Sequence, residues 1–166
     1  MARGEGQVLL DVRTDESRPT GLASVQAVTM DEATLNTFQK SFERCSANPG
    51  FLDLFYEAFL ASSPKVREKF ANTDFDKQKR ALHGSFSLML RAARQDGEGP
   101  PDYLEELAQR HGANQLAVGA EFYDFWLDSL LVAVSACDPV CSPEVEKAWE
   151  KVMGIGISYL CSRYHA

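Results

Sequence analysis

From residue 30 onward the apolar positions recur every three or four residues, the period of helices with one buried face. Leu35, Phe38, Phe42 and Cys45 share the first face, and Asn48-Pro49-Gly50 ends that helix. Its start is expected at a capping box, Thr29-Met-Asp-Glu32, with the Thr29 hydroxyl on the first turn and Glu32 reaching back. Phe51, Leu52, Leu54, Phe55, Phe59 and Leu60, with Tyr56 among them, predict a second helix, apolar on more than one side and so deeply buried. Ser63 as N-cap and Pro64 in the first position start a short helical turn ending near Phe70. A long helix is predicted from Thr73-Asp74 to about Ala93, with a stripe of Phe75, Leu82, Phe86, Met89 and Leu90 that also carries Gln78 and Ser85. Residues 95–101 read as a loop.

The segment Tyr103–His111 predicts a short helix whose apolar face is Leu104, Leu107, Ala108 and His111, with Gly112 where it should stop. A loop follows over 112–115, then a long helix from about Ala117 to Ala136 containing Phe122, Phe125, Trp126, Leu130 and Val134. The last helix begins at Ser142-Pro143, with Glu144 and Glu146 complementing its dipole, and runs through Trp149, Val152, Met153, Ile157 and Leu160. Gly154 and Gly156 inside it cost ~1 kcal/mol each by propensity. They predict close approach to another helix or to a ligand.

About seven helical segments joined by short Pro/Gly turns, without strand pairs, repeats or a Gly-rich phosphate loop, make an all-α domain. Residues 1–28, rich in Gly, Ser, Pro and charge, read as a disordered N-terminal extension, and 29–166 as one domain. A net charge of −7 argues against nucleic acid or an anionic membrane as partner. No apolar run approaches the ~20 residues of a membrane span, and the start lacks the apolar core of a secretory signal. A cytoplasmic protein is expected. Cys45, Cys137, Cys141 and Cys161 make no CxxC pair and read as reduced thiols, with a Cys137–Cys141 redox pair as the weaker alternative.

The one candidate for chemistry in the pattern itself is His111. A lone histidine on an apolar helix face is more often a packed core residue than a ligand, and periodicity leaves both open.

Four features in order change that balance. They are Phe55-Tyr56 followed by Pro64 and Phe70, Gln78-Lys-Arg-Ala-Leu82, the histidine of Leu107-Ala-Gln-Arg-His111 thirty-three residues past Gln78, and Ala148-Trp149-Glu-Lys-Val152. Over about residues 29–163 the chain resembles a bacterial single-domain globin, related to the globin part of flavohaemoglobins. The resemblance implies a three-over-three helical sandwich around haem b, with His111 as proximal iron ligand. The other ring N–H would need an acceptor, and the Leu107 carbonyl one turn back is the natural one. Phe70 would stack on the haem. Leu82, Leu107, Val118, Tyr123 and Trp126 would line the pocket, and Arg110 would meet a propionate or stay solvated.

The distal side depends on the register of the long helix. With His83 facing the iron, Lys79, Arg80, Ser87 and Arg91 would face it too. With Gln78 inward the face is Phe75, Gln78, Leu82, Ser85, Phe86 and Met89, which fits far better. The resemblance thus implies Tyr56 and Gln78 as hydrogen-bond donors to bound O₂, with NO and CO as further ligands. The implied function is reversible oxygen binding and transport, extending to NO detoxification of the dioxygenase type with an external reductase. A haem-based gas sensor and a six-coordinate redox globin, with His83 or Tyr56 on the iron, are the alternatives. The four features together argue against a haem-free interaction module. The chain carries neither the flavohaemoglobin reductase nor a signalling domain, so self-contained catalysis and direct signal output are not expected. A homodimer through either of the last two long helices is left open.

Overall fold

A computed structural model describes residues 30–94, 102–112 and 117–165. Its helices are α1 (Glu32–Ser46), α2 (Phe51–Ser62), α3 (Pro64–Lys69), α4 (Phe75–Ala93), α5 (Asp102–His111), α6 (Ala120–Cys137) and α7 (Pro143–Ser162). The all-α expectation holds, and among the described residues there is no strand. The expected extension 1–28 and the loops over 95–101 and 113–115 lie outside the described residues.

Local chemistry explains the ends. Asp74 caps α4, accepting from the Lys77 N–H at 3.3 Å, and Ser142 caps α7, accepting from the Val145 N–H at 3.3 Å. Ser63 caps α3, with Pro64 in its first turn. Two expectations are corrected. The expected cap residue Thr29 lies outside the described residues, and α1 is capped by another. Asp31, one residue before Glu32, takes the cap and accepts from the Thr34 N–H at 3.0 Å. Glu32 then lies in the first turn and pairs with Arg94 at 3.3 Å. Helix α6 starts at Ala120 instead of Ala117 because Ala117 has φ 53°, a left-handed conformation that cannot open an α-helix. The Ala117 N–H donates to the Gly112 carbonyl at 2.8 Å, and the Val118 N–H donates to the His111 carbonyl at 3.0 Å. Three residues are thus used in turning the chain back against the end of α5.

Helix α7 is the spine. It packs against α1, α4, α5 and α6, while α2 packs on α6 and α3. Among the described residues α4 and α5 are not a closely packed pair, although both lie on α7. They come together over Gly156. A Cβ there would lie 2.3 Å from the Met89 sulfur of α4 and 3.8 Å from Leu104 of α5. Gly156 therefore marks the expected close approach. Gly154 does not: a Cβ there would meet nothing within 4 Å.

The core centres on Trp149, fully buried and ringed by Phe38, Phe42, Phe51 and Phe86 at centroid distances of 4.6 to 6.3 Å. Its indole N–H donates to the Ser41 hydroxyl at 2.9 Å. Ser41 in turn donates to Asp138 at 2.6 Å. The Asp138 carboxylate also accepts from Arg44 Nε at 2.6 Å, Arg44 Nη2 at 2.9 Å and the Val140 N–H at 3.0 Å. Burial pushes this carboxyl up, but the bonds from Arg44, Ser41 and Val140 outweigh it and leave it below the ordinary carboxylate range. Beside the cluster sits Cys45, fully buried, its thiol pushed up to about 12 first by burial and then by the Asp138 charge, against a Ser41 bond. The four cysteines are free thiols.

Because the folded carboxyl of Asp138 is lowered, its contribution to stability is full above the unfolded carboxylate value of about 4 and is lost as pH falls through the folded value. Asp138→Ala is expected to cost about 3 kcal/mol in urea unfolding at pH 7 and to flatten the acid limb of the stability profile. The two glycines of α7 are expected to respond oppositely. Gly154→Ala raises stability by up to about 1 kcal/mol by helix propensity. Gly156→Val overpacks the α4–α7 crossing and costs about 2 kcal/mol. Equilibrium unfolding of both variants measures the contrast.

Candidate functional site

The sequence-predicted residues fall into two half-sites. The first is built on α2, α3 and α4. Tyr56 is buried on α2, and its hydroxyl bonds to Gln78 of α4. Burial pushes the phenol up to about 12, while the Gln78 bond acts to lower it. One turn earlier on α2, Asp53 pairs with Lys79 of α4. Helices α2 and α4 are not a closely packed pair among the described residues, so these two rungs bridge a gap and hold Gln78 in register with Tyr56. Phe70 follows α3 and lies 6.2 Å from the Tyr56 ring, edge-on. Phe75 stacks with Phe70 at 6.2 Å and closes on Tyr56 at 5.4 Å. Leu82, one turn beyond Gln78, is buried in the same core. Trp126 reaches this group through Phe55, 6.0 Å away.

The second half-site is built on α5 and the start of α6. His111 ends α5, half-buried, with Nδ1 2.9 Å from the Leu107 carbonyl oxygen. A carbonyl only accepts, so Nδ1 carries the proton and donates. Burial pushes this imidazole below the ordinary histidine value, and the Arg110 charge adds to that, against the Leu107 bond. The ring is thus neutral at pH 7. Its Nε2 keeps a lone pair and makes no hydrogen bond to the described residues. Leu107 and Val118 pack against both the main core and a satellite core of Ala108, Tyr123 and Leu160. Arg110 is exposed. Among the described residues no hydrogen bond or ring contact joins the two half-sites.

His83 belongs to neither. Its Nε2 lies 3.0 Å from the Ser46 hydroxyl of α1, and its ring sits 5.3 Å from Phe42. It therefore faces α1, on the opposite side of α4 from Tyr56. Sequence reasoning did not single out the Asp53–Lys79 rung, whereas it placed Phe75 on the same face of α4 as Gln78. The rung has no short-range signal, because its members are twenty-six positions apart.

The family model for globins matches residues 53–159. The chain belongs to the globin family. A crystal structure of a Pseudomonas aeruginosa protein, described as structurally highly homologous to a human haemoglobin, is 39% identical to this globin. The two superpose with a TM-score of 0.76, covering 80% of this chain and 99% of that one. No curated protein matches the chain significantly. Among the described residues no helix of this globin is long and apolar enough to cross a membrane.

Globins bind haem, and the residues present fit one. Among the described residues no group of His, Cys, Asp and Glu could hold a bare metal ion. A single neutral imidazole with a free Nε2 is instead the donor set that a porphyrin completes. The orientation of His83 gives a direct test. His83→Ala is expected to leave the visible spectrum of the haem-loaded, dithionite-reduced globin unchanged. A switch in coordination on that substitution would contradict the register of α4.

Proposed function

We propose that this haem-binding globin takes O₂ reversibly, and NO or CO in its place, with His111 as the iron ligand and Tyr56 and Gln78 as the polar wall facing the gas. The observation that carries the reading is the state of the two half-sites. One offers a neutral imidazole whose Nδ1 is fixed and whose Nε2 is free. The other offers a buried phenol kept protonated, with the Gln78 amide bonded to it. Haem, read as type b, supplies the ferrous iron at which a diatomic gas binds. Every other part of the reading belongs to side chains of this chain.

His111 holds iron through Nε2 and is kept from turning by the Leu107 carbonyl. Phe70, Leu82, Leu107, Val118, Tyr123 and Trp126 supply apolar surface to the macrocycle, and Arg110 supplies a charge for a propionate. Tyr56 and Gln78 would donate to a diatomic ligand held at that iron, and the bond between the two side chains would orient the phenol. Because the phenol ionises only at about 12, the donor is present throughout the neutral range. An NO-consuming activity sustained by an external reductase is the enzymatic form of this reading. Steady-state NO consumption with a supplied reductase separates it from reversible binding.

Absorption spectra of the purified protein, as isolated, after dithionite and after CO, test the reading. A five-coordinate ferrous spectrum that shifts with CO is expected, and His111→Ala is expected to abolish it. A hydrogen bond to a charged partner is worth ~1.5–3 kcal/mol. Tyr56→Phe is therefore expected to speed O₂ release roughly tenfold or more in stopped-flow displacement by CO. An unchanged off-rate would remove Tyr56 from the ligand's surroundings.

A further inference from the structure

Away from both half-sites, one carboxylate on α5 gathers several partners. Glu105 Oε1 accepts the Tyr159 hydroxyl, and Oε2 accepts from Arg163 Nη2 at 2.6 Å. The Arg163 guanidinium also lies over the Tyr159 ring, 5.9 Å from its centroid. Gln109, one turn along α5, bonds the same carboxylate. Tyr159 first and Arg163 next hold the Glu105 carboxyl below its ordinary range. A further contact comes from the chain just past α7. A Cβ on Gly112 would lie 3.1 Å from the Tyr164 carbonyl oxygen, so the backbones close together at the foot of α5.

The ties to Tyr159, Arg163 and Tyr164 run between α5 and the end of α7. Among the described residues, α7 is also the one helix against which α5 packs closely. The His111 ring cannot turn independently of α5, because its Nδ1 is fixed to a carbonyl of its own helix. The direction of Nε2 is therefore the direction in which α5 as a rigid body is rolled. At 100° per residue, Glu105 and His111 project about 120° apart around the axis. A side chain gripped on one side of the helix thus resists a roll that would swing the imidazole on the other.

We propose that Glu105, held by Tyr159 and Arg163, is a positioning residue that sets the roll of α5 and so the aim of His111 Nε2 toward the haem iron. This rests on the reading of His111 as the iron ligand. Glu105 touches neither the ring nor the macrocycle; it acts through the helix. Tyr159 fixes its position along α7, and Arg163 adds a charge-assisted second bond.

The test uses the full chain, haem-loaded and dithionite-reduced. The readout is the iron–histidine stretching band in resonance Raman spectra, with thermal unfolding measured alongside. Glu105→Ala and Tyr159→Phe are expected to shift or broaden the band and to speed haem transfer to excess apomyoglobin about threefold. The double variant is expected to go no further than Glu105→Ala alone. Arg163→Lys, which keeps the charge, is expected to retain the wild-type band where Arg163→Gln loses it. If Glu105→Ala does not fold, Tyr159→Phe removes a single oxygen and answers the same question. Variants that melt earlier but keep the wild-type band overturn the proposal and leave Glu105 as a stabilising contact only. A band missing from the wild type, or kept in His111→Ala, overturns the iron-ligand reading itself. A wild-type band that needs His111 but ignores Glu105 overturns only the positioning role.

Discussion

A carboxylate buried at the junction of three helices carries much of this structure. Asp138 ends α6, takes two bonds from Arg44 and one from Ser41 of α1, and through Ser41 reaches the indole of Trp149 in α7. An unpaired charge at that depth would be far too costly to keep. Its donors must therefore arrive together, and they come from sequence positions more than ninety apart. The apolar rings around Trp149 supply the driving force of burial, which has no direction of its own. The carboxylate supplies direction, fixing which face of α1 meets which turn of α7. With α7 fixed, α4 and α5 are laid on it in turn, joined at Gly156.

The two half-sites follow from that joint. Gln78 lies eleven residues before Met89 on α4, and His111 lies seven after Leu104 on α5, so each stands two to three turns from the crossing. Side chains bridge what the backbones do not. On the distal side the bridge is Tyr56–Gln78 with Asp53–Lys79, and on the proximal side it is Glu105 with Tyr159 and Arg163. Each half-site is thus held by side chains of its own helices and their neighbours.

Periodicity and capping made most of the helices legible. Asp74, Ser63-Pro64 and Ser142-Pro143 act locally, and so do the turn residues Asn48-Pro49-Gly50. Errors arose where two local signals competed or where backbone torsion decided. Asp31, next to the first helical residue, takes the cap of α1. Ala117 looked like a good helix former and adopts a left-handed turn to tie back to Gly112. Gly154 and Gly156 are indistinguishable in sequence, and only the placement of Met89 separates them. In the site, the inward face of Gln78 and the His111–Leu107 bond could be reached, because one follows from helix register and the other spans a single turn. The outer ties, Asp53–Lys79 and Glu105–Arg163, pair exposed residue types found on any helix surface, and only the packing of the helices brings them together.

The cysteines bear on what kind of chemical neighbour this protein is to its own ligands. Reactive gases and their oxidised products attack thiolates far faster than thiols. A thiol whose pKa is about 12, as at Cys45, is ionised in only about one molecule in 10⁵ at neutral pH. Cys137 and Cys141 are pushed the same way by burial. The Cys45 thiol is kept protonated by the same desolvation that builds the core around Asp138.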